Sequence, residues 1–169
     1  MSHEVAPLGP ARIWRDLTIE QRLALATALW ADDESVPQQV EAVQLIARQL
    51  RSRPQFVLAQ PVEKRARQLA HLHTVSESVA SRALVVYHLA SQRPMLEAFL
   101  TRLGIAHENG MIADAAEVSP DQAAMRAAAN ELTANHPVES VALYLRTLAA
   151  QDPETWGALV AIASELPSS

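Results

Sequence analysis

The side chains in this sequence that are best suited to acid–base or metal chemistry at neutral pH are its six histidines. His71 and His73 stand two residues apart near the end of a predicted helix, and helical geometry directs such a pair to different faces. His88 lies within an apolar helical segment, where a hydrogen-bonded core histidine is more common than a ligand. We therefore expect no metal site and no cofactor.

A segment between two predicted helices, 104–118, contains a second group of polar side chains that could bind a ligand. Asn109-Gly110 is a dipeptide that strongly indicates a tight hairpin turn, and it interrupts the helical pattern. A long connection inside a compact domain is often functional, although a structural clip is the simpler interpretation. The candidate residues for a small-ligand or enzymatic site are His88, His107, Glu108 and Asn109.

A run of three carboxylates at residues 32–34 is the arrangement closest to an acid–base cluster. Adjacent carboxylates repel one another, and these precede a predicted helix whose N-terminal dipole favours negative charge. The simpler interpretation is that they are exposed and stabilise the start of that helix. We therefore expect no catalytic role for them.

Charge is distributed unevenly along the chain, whose net charge is −5. Residues 48–102 carry nine Lys and Arg against three acids, whereas 1–47 and 103–169 carry net charges of −4 and −7. One interpretation is that the basic middle packs against the acidic ends and is neutralised inside the fold. The alternative is a nucleic-acid surface, because phosphate binding needs clustered cations. The candidate residues for that surface are Lys64, Arg65, Arg67 and Arg82.

Within the basic middle, residues 72–84 resemble a helix-hairpin-helix DNA-binding motif, with the apolar positions and Ala80 in register. They also resemble, more loosely, the helix-turn-helix of bacterial repressors. Both resemblances imply a tight turn between two helices and contact with DNA. Thr74 and Ser76 stand where the hairpin motif has glycines, whose amides would approach phosphate. An ordinary corner between two helices, the second of them in the core, is the simpler interpretation.

The composition excludes several classes of protein. Hydrophobic residues make up 49% of the 169 positions, which is too many for a disordered chain. There is no cysteine, so disulfides, thiolate catalysis and cysteine-bound metals are ruled out. With only four glycines, a glycine-rich phosphate loop is nearly out of reach. No apolar run approaches a membrane span and no secretory leader is apparent, so we expect a soluble cytoplasmic protein with no membrane partner.

The helical periodicity of the sequence predicts the elements that position these groups. It indicates an all-α fold of about eight helices around a buried helix through 80–90. We expect an N-terminal arm over 1–16 and a single helical domain over 17–169, interrupted by a non-helical and possibly hairpin insert near 104–118. The predicted helix starts are Thr18 with Gln21, Ser35 with Gln38, Pro61, either Thr74 with Glu77 or Ser76 alone, Pro94, Pro120, Pro137 and Pro153, and Gly104 is a predicted end.

Since no motif specifies a reaction, the sequence favours a non-enzymatic interaction or regulatory domain, whose partner is another protein or a second copy of the chain. Nucleic-acid binding through the basic middle is the first alternative. An enzyme or small-ligand binder using the 104–112 loop is the second. Trp14 precedes the first clear helix, and we expect it to clip the N-terminal arm to the core rather than to anchor a partner.

Overall fold

The computed structural model describes residues 8–167, and within them the chain forms eleven α-helices and one two-stranded hairpin. Eight of the helices have seven or more residues, which confirms the predicted all-α class. No helix among these residues is long and apolar enough to cross a bilayer. The elements are α1 (Pro10–Asp16), α2 (Ile19–Ala31), α3 (Val36–Leu50), α4 (Pro54–Leu58), α5 (Val62–Ala70), α6 (Glu77–Ser91), α7 (Arg93–Arg102), β1 (His107–Glu108), β2 (Met111–Ile112), α8 (Gln122–Leu132), α9 (Val138–Gln151), α10 (Pro153–Trp156) and α11 (Leu159–Ser164).

The chain divides into two compact units, which are described separately below. Gly9–Ala90 form the first unit, and the residues from Ser91 onward form the second. Residues 10–16, which the sequence assigns to an N-terminal arm, form α1 of the first unit. That 17–169 behave as a single domain stays a prediction.

In the first unit, α2 begins where the sequence predicted it. The Thr18 hydroxyl accepts a hydrogen bond from the Gln21 backbone N–H at 3.2 Å, and the Gln21 side chain accepts from the Thr18 N–H at 3.0 Å. This reciprocal pair satisfies two of the amides that a helix start leaves without partners. The predicted capping box is therefore confirmed.

Helices α2 and α5 pack against each other and run antiparallel. Trp30, at the end of α2, lies under the guanidinium of Arg65 near the start of α5. Near the start of α2, Arg22 lies 3.0 Å from His73, just beyond the end of α5. Helix α3 packs on α2, α4 and α5, so the four helices share one apolar core. Its largest fully buried members from these helices are Leu25, Leu29, Ile46 and Leu69.

Trp14 lies in this core with none of its surface exposed. Its indole N–H donates a hydrogen bond of 2.8 Å to the backbone carbonyl of Leu72, in the connection between α5 and α6. Burial of the ring supplies the apolar contact, and the hydrogen bond satisfies its one polar atom. The prediction that Trp14 clips the N-terminal segment to the core is confirmed.

In the second unit, α7 ends at Arg102, and Gly104 terminates the helix as predicted. Gly104 has a positive φ of 71°, which a residue without a Cβ adopts at little cost. The Ile105 N–H bonds the Leu100 carbonyl at 2.9 Å, and the Gly104 N–H bonds the Thr101 carbonyl at 3.0 Å. These two bonds form a Schellman motif, which satisfies the last carbonyls of the helix.

The predicted hairpin insert is also present. Asn109 and Gly110 both have positive φ, 54° and 86°, as a two-residue turn of this kind requires. His107 pairs with Ile112, and Glu108 pairs with Met111. The prediction of a hairpin at this position is confirmed.

The core of the second unit contains a cluster of three aromatic side chains. The Phe99 ring meets Tyr144 edge-on at 5.5 Å between ring centres and lies 6.1 Å from Trp156. Helices α8, α10 and α11 pack on α9 around it. The sequence predicts a single last helix that starts at Pro153, which is wrong, because the structure has two short helices there, α10 and α11. Gly157 and Ala158 separate α10 from α11, and a Cβ at Gly157 would lie 2.6 Å from the Pro153 carbonyl oxygen, so a glycine fits there without a clash.

Candidate functional site

The hairpin candidates lie together on the second unit but do not line its cavity. The His107 Nε2 atom lies 2.9 Å from the Thr101 hydroxyl, while Glu108 and Asn109 are exposed. A cavity of about 320 Å³ lies next to the hairpin. Its lining is Leu103, Gly104, Ile105, Ala106, Asp114, Glu117, Val118, Ser119 and Pro120, so none of the predicted ligand-binding side chains faces it.

His88, the fourth member of that predicted site, belongs to the first unit. It is buried in α6, and its Nδ1 atom lies 2.7 Å from the Leu84 carbonyl, so Nδ1 carries the proton that it donates. Burial lowers the pKa of His88 to about 4, although the bond to Leu84 opposes this shift. The imidazole is therefore neutral at neutral pH, as in a core histidine. The four candidates do not meet within either unit.

The carboxylate run is split between two environments. Asp33 and Glu34 are exposed in a 3-10 turn ahead of α3. Asp32 instead accepts hydrogen bonds from the Ser35 hydroxyl and, at 2.9 Å, from the Arg82 guanidinium. The expectation that all three acids act only on the helix dipole is therefore wrong for Asp32. This carboxylate links the α2–α3 turn to α6.

Ser35 completes that link. Its side chain is fully buried, donates to Asp32 and accepts from the Arg82 Nε–H at 2.8 Å. It precedes α3 but makes no side-chain capping bond, so the predicted capping interaction with Gln38 is wrong. The Ser35 bond, followed by Arg82, lowers the pKa of Asp32. The Ser35 hydroxyl has no access to solvent, and the Asp32 carboxylate is ionised and paired. Together they form a structural cross-link and do not provide an exposed nucleophile.

The four predicted nucleic-acid residues also differ in environment. Arg82 is paired with Asp32, and the Arg65 Nε–H donates to the Gln60 carbonyl at 3.2 Å while its guanidinium lies 5.9 Å from the Trp30 ring centre. Lys64 and Arg67 are exposed on α5. Part of the positive charge of the middle segment is thus engaged inside the fold.

The feature that sequence reasoning missed is a group of exposed apolar side chains on helices α3, α4 and α5 of the first unit. Among the described residues, seven large apolar side chains are exposed, and six of them lie between positions 36 and 62. These six are between 41% and 57% exposed, and two of them, Phe56 and Leu58, flank the buried Val57 on α4. We call this group the α3–α5 face, and its members are Val36, Val40, Leu50, Phe56, Leu58 and Val62.

The periodicity of α3 explains why this face was missed. The helical spacing of Val40 and Leu50 with Val43, Ile46 and Ala47 predicts that all five lie on the buried stripe of that helix. The structure buries the latter three and exposes the first two, so the stripe was predicted too wide. In α4, only Val57 of three consecutive apolar residues is buried. Three consecutive apolar residues on a helix cannot all face one core, which is the signal that could have revealed the face.

A cavity of about 190 Å³ adjoins the face at Leu50. It lies between the C-terminal half of α3 and the C-terminal end of α5, and its lining is Ile46, Gln49, Leu50, Gln68, His71 and Leu72. The same helices and their connections carry five exposed cations, two of which adjoin the lining residues Gln49 and Gln68 in the chain. The five are Arg48, Arg51, Arg53, Lys64 and Arg67.

None of the family models, curated proteins and solved structures with which the chain was compared matches it. Among residues 8–167, no group of three or more His, Asp or Glu side chains is arranged to hold a metal ion. A functional assignment therefore depends on the chemistry of the surfaces described above.

Proposed function

We propose that this chain is a non-enzymatic protein-interaction module whose binding surface is the α3–α5 face. The observation that carries the proposal is the concentration of six of the seven exposed large apolar side chains within positions 36–62. Single exposed apolar residues are common on soluble proteins, but a concentration of them on one group of packed helices is typical of a binding surface. Phe56 is the most exposed of the six, and large aromatic side chains are frequent anchors at interfaces.

The environments of the titratable side chains support a non-enzymatic role. His88 is a neutral histidine in the core, and Asp32 is held in an ion pair. A catalytic site needs an acid or base whose pKa is tuned and whose side chain reaches a cleft. His107, the other histidine of the predicted ligand site, is partly exposed next to the larger cavity but does not line it. The exposed His71 lines the smaller cavity, whose other polar lining residues are the amides Gln49 and Gln68.

Nucleic-acid binding remains the alternative, and the structure reduces the cations available for it. Of its four candidate residues, Arg82 forms an ion pair and Arg65 is bonded to a carbonyl. Lys64 and Arg67 remain, and they lie on α5, the helix that also carries the exposed Val62 of the α3–α5 face. Apolar neighbours suit a protein partner better than a phosphate backbone.

The proposal is tested by replacing Phe56 and Leu58 together with aspartate. Both side chains are more than half exposed, so the double variant should keep the helical circular dichroism of the native chain. A partner captured by the native protein and then purified should bind the double variant at least about 30-fold more weakly, because each substitution places a charge in an apolar interface. Titration calorimetry measures the two dissociation constants.

Met111→Asp is the matched control. Met111 is 60% exposed, but it lies on the hairpin of the second unit. The control should bind the partner as the native chain does. Equal affinities for the native chain and the Phe56/Leu58 double variant would overturn the proposal, and loss of binding in the Met111 control would move the interface to the second unit.

A further inference from the structure

We propose that the partner presents an acidic amphipathic helix, and that an apolar anchor side chain of this helix enters the cavity between α3 and α5. The inference rests on the proposed function, because it names what the α3–α5 face binds. Two features of the first unit support it, namely the size of the cavity and the positive charge of the segment that contains it. A third reason is that two copies of this segment would repel each other in a symmetric dimer.

The cavity has the size and chemistry of a pocket for one side chain. Its apolar wall is formed by Ile46, Leu50 and Leu72, and its volume is about 190 Å³. A cavity of about 150 Å³ holds a benzene ring, so a phenylalanine or leucine side chain fits here. The pocket lies between two helices with exposed apolar residues beside it, which is the arrangement that receives amphipathic helices through anchors at positions i, i+3 or i+4, and i+7.

The net charge of the segment that contains the pocket favours a partner of opposite charge. Residues 36–72 contain six Lys and Arg and two Glu, a net charge of +4 in a chain whose total is −5. The five exposed cations named above form no ion pair with another described residue. Complementary charge speeds association and suppresses partners of the wrong sign. An acidic helix would pair with these cations while its apolar side covers the face.

A second copy of this chain fits the face less well. In a two-fold symmetric dimer the same patch meets itself. The region of net charge +4 would then lie against an identical region, and like charges at an interface oppose association. A partner with an acidic surface avoids this repulsion. The commitment is therefore to a different protein that carries an acidic helix.

Fluorescence anisotropy with three labelled 16-residue peptides tests this inference on the whole chain. The first peptide has Phe, Leu and Leu at helical positions i, i+4 and i+7, with Glu and Ala elsewhere. The second replaces every Glu with Lys, and the third replaces the Phe with Ala. We expect the first peptide to bind at least tenfold more tightly than either of the others. Its affinity should fall when salt is raised from about 50 to about 200 mM.

Protein variants locate the binding. Arg48→Gln with Arg67→Gln should weaken binding of the acidic peptide at least fivefold, because both are exposed cations next in the chain to the pocket residues Gln49 and Gln68. Arg12→Gln with Arg15→Gln is the matched control, since it removes two exposed cations from α1 and should leave the affinity unchanged. A Leu50→Asp variant should abolish binding by placing a carboxylate in the pocket wall.

Each contrary outcome overturns the inference in a recognisable way. Equal binding of the acidic and basic peptides would show that the apolar face is an interface but that its partner need not be acidic. Binding of no peptide would overturn the acidic helix as the occupant, while the Phe56/Leu58 capture experiment decides the proposed function separately. If the chain binds none of the peptides but binds vesicles in which one third of the lipid is anionic, and the Arg48/Arg67 variant loses this binding, the face is a lipid-binding surface instead.

Discussion

Trp14→Ala should lower the free energy of unfolding of the first unit by about 3–5 kcal/mol, the cost typical of removing a fully buried aromatic ring. The ring has no exposed surface, and its N–H is bonded to the Leu72 carbonyl. The substitution leaves a cavity and an unsatisfied carbonyl, and it detaches α1 from the connection between α5 and α6. Guanidinium denaturation followed by far-ultraviolet circular dichroism measures the effect.

Two controls separate packing from hydrogen bonding. Trp14→Phe keeps most of the buried ring but loses the N–H, so it should cost about 1–3 kcal/mol, the range for a buried group left without its partner. Arg12→Ala changes an exposed side chain of the same helix and should fall within about 0.5 kcal/mol of the native chain. If Trp14→Ala also fell within that range, the ring would not be part of the core, and its interpretation as a clip would be wrong.

Acid should destabilise the chain between about pH 6.5 and pH 4 because of His88. Its pKa is about 4 in the folded chain and 6.5 in the unfolded chain, so the unfolded state binds more protons throughout this interval. The contribution of His88 to the free energy of unfolding is therefore fully present above pH 6.5 and decreases as the pH falls towards 4. At 1.36 kcal/mol for each pH unit, the loss amounts to about 3 kcal/mol. Urea denaturation at half-unit pH steps measures it.

The matched variant for this prediction is His88→Asn. The amide keeps an N–H donor near the position of Nδ1 but does not titrate, so the stability of the variant should be nearly constant from pH 6.5 to pH 4. Its absolute stability can differ from that of the native chain, so the slope is the quantity compared. The lowered pKa of Asp32 acts below its ordinary value of 3.8, outside this interval. An unchanged slope in the variant would show that another group is responsible.

The sequence predicted well those features whose cause is local. Thr18 and Gln21 satisfy each other across three residues, Gly104 provides the positive φ for a helix end, and Asn109-Gly110 closes a hairpin of its nearest neighbours. In each case the chemistry that determines the structure lies within a few positions. Local composition alone is therefore sufficient to predict them.

Features that depend on distant contacts could not be predicted in this way. Arg82 pairs with an acid 50 positions earlier, and this pairing draws Ser35 away from its expected capping role. The exposure of Val40 and Leu50 depends on which side of α3 its neighbouring helices cover, which periodicity does not specify. The proposed binding face consists of residues of this second kind. For that reason the sequence favoured an interaction domain but did not locate its surface.

The most direct test of the central claim is hydrogen–deuterium exchange of the native chain with and without its purified partner. A bound partner should slow amide exchange in peptides that cover positions 36–62, because it excludes water from the α3–α5 face and stabilises its helices. Exchange in α8 and α9 should stay unchanged. Slowed exchange confined to the residues from Ser91 onward would contradict the proposal and place the interface on the second unit.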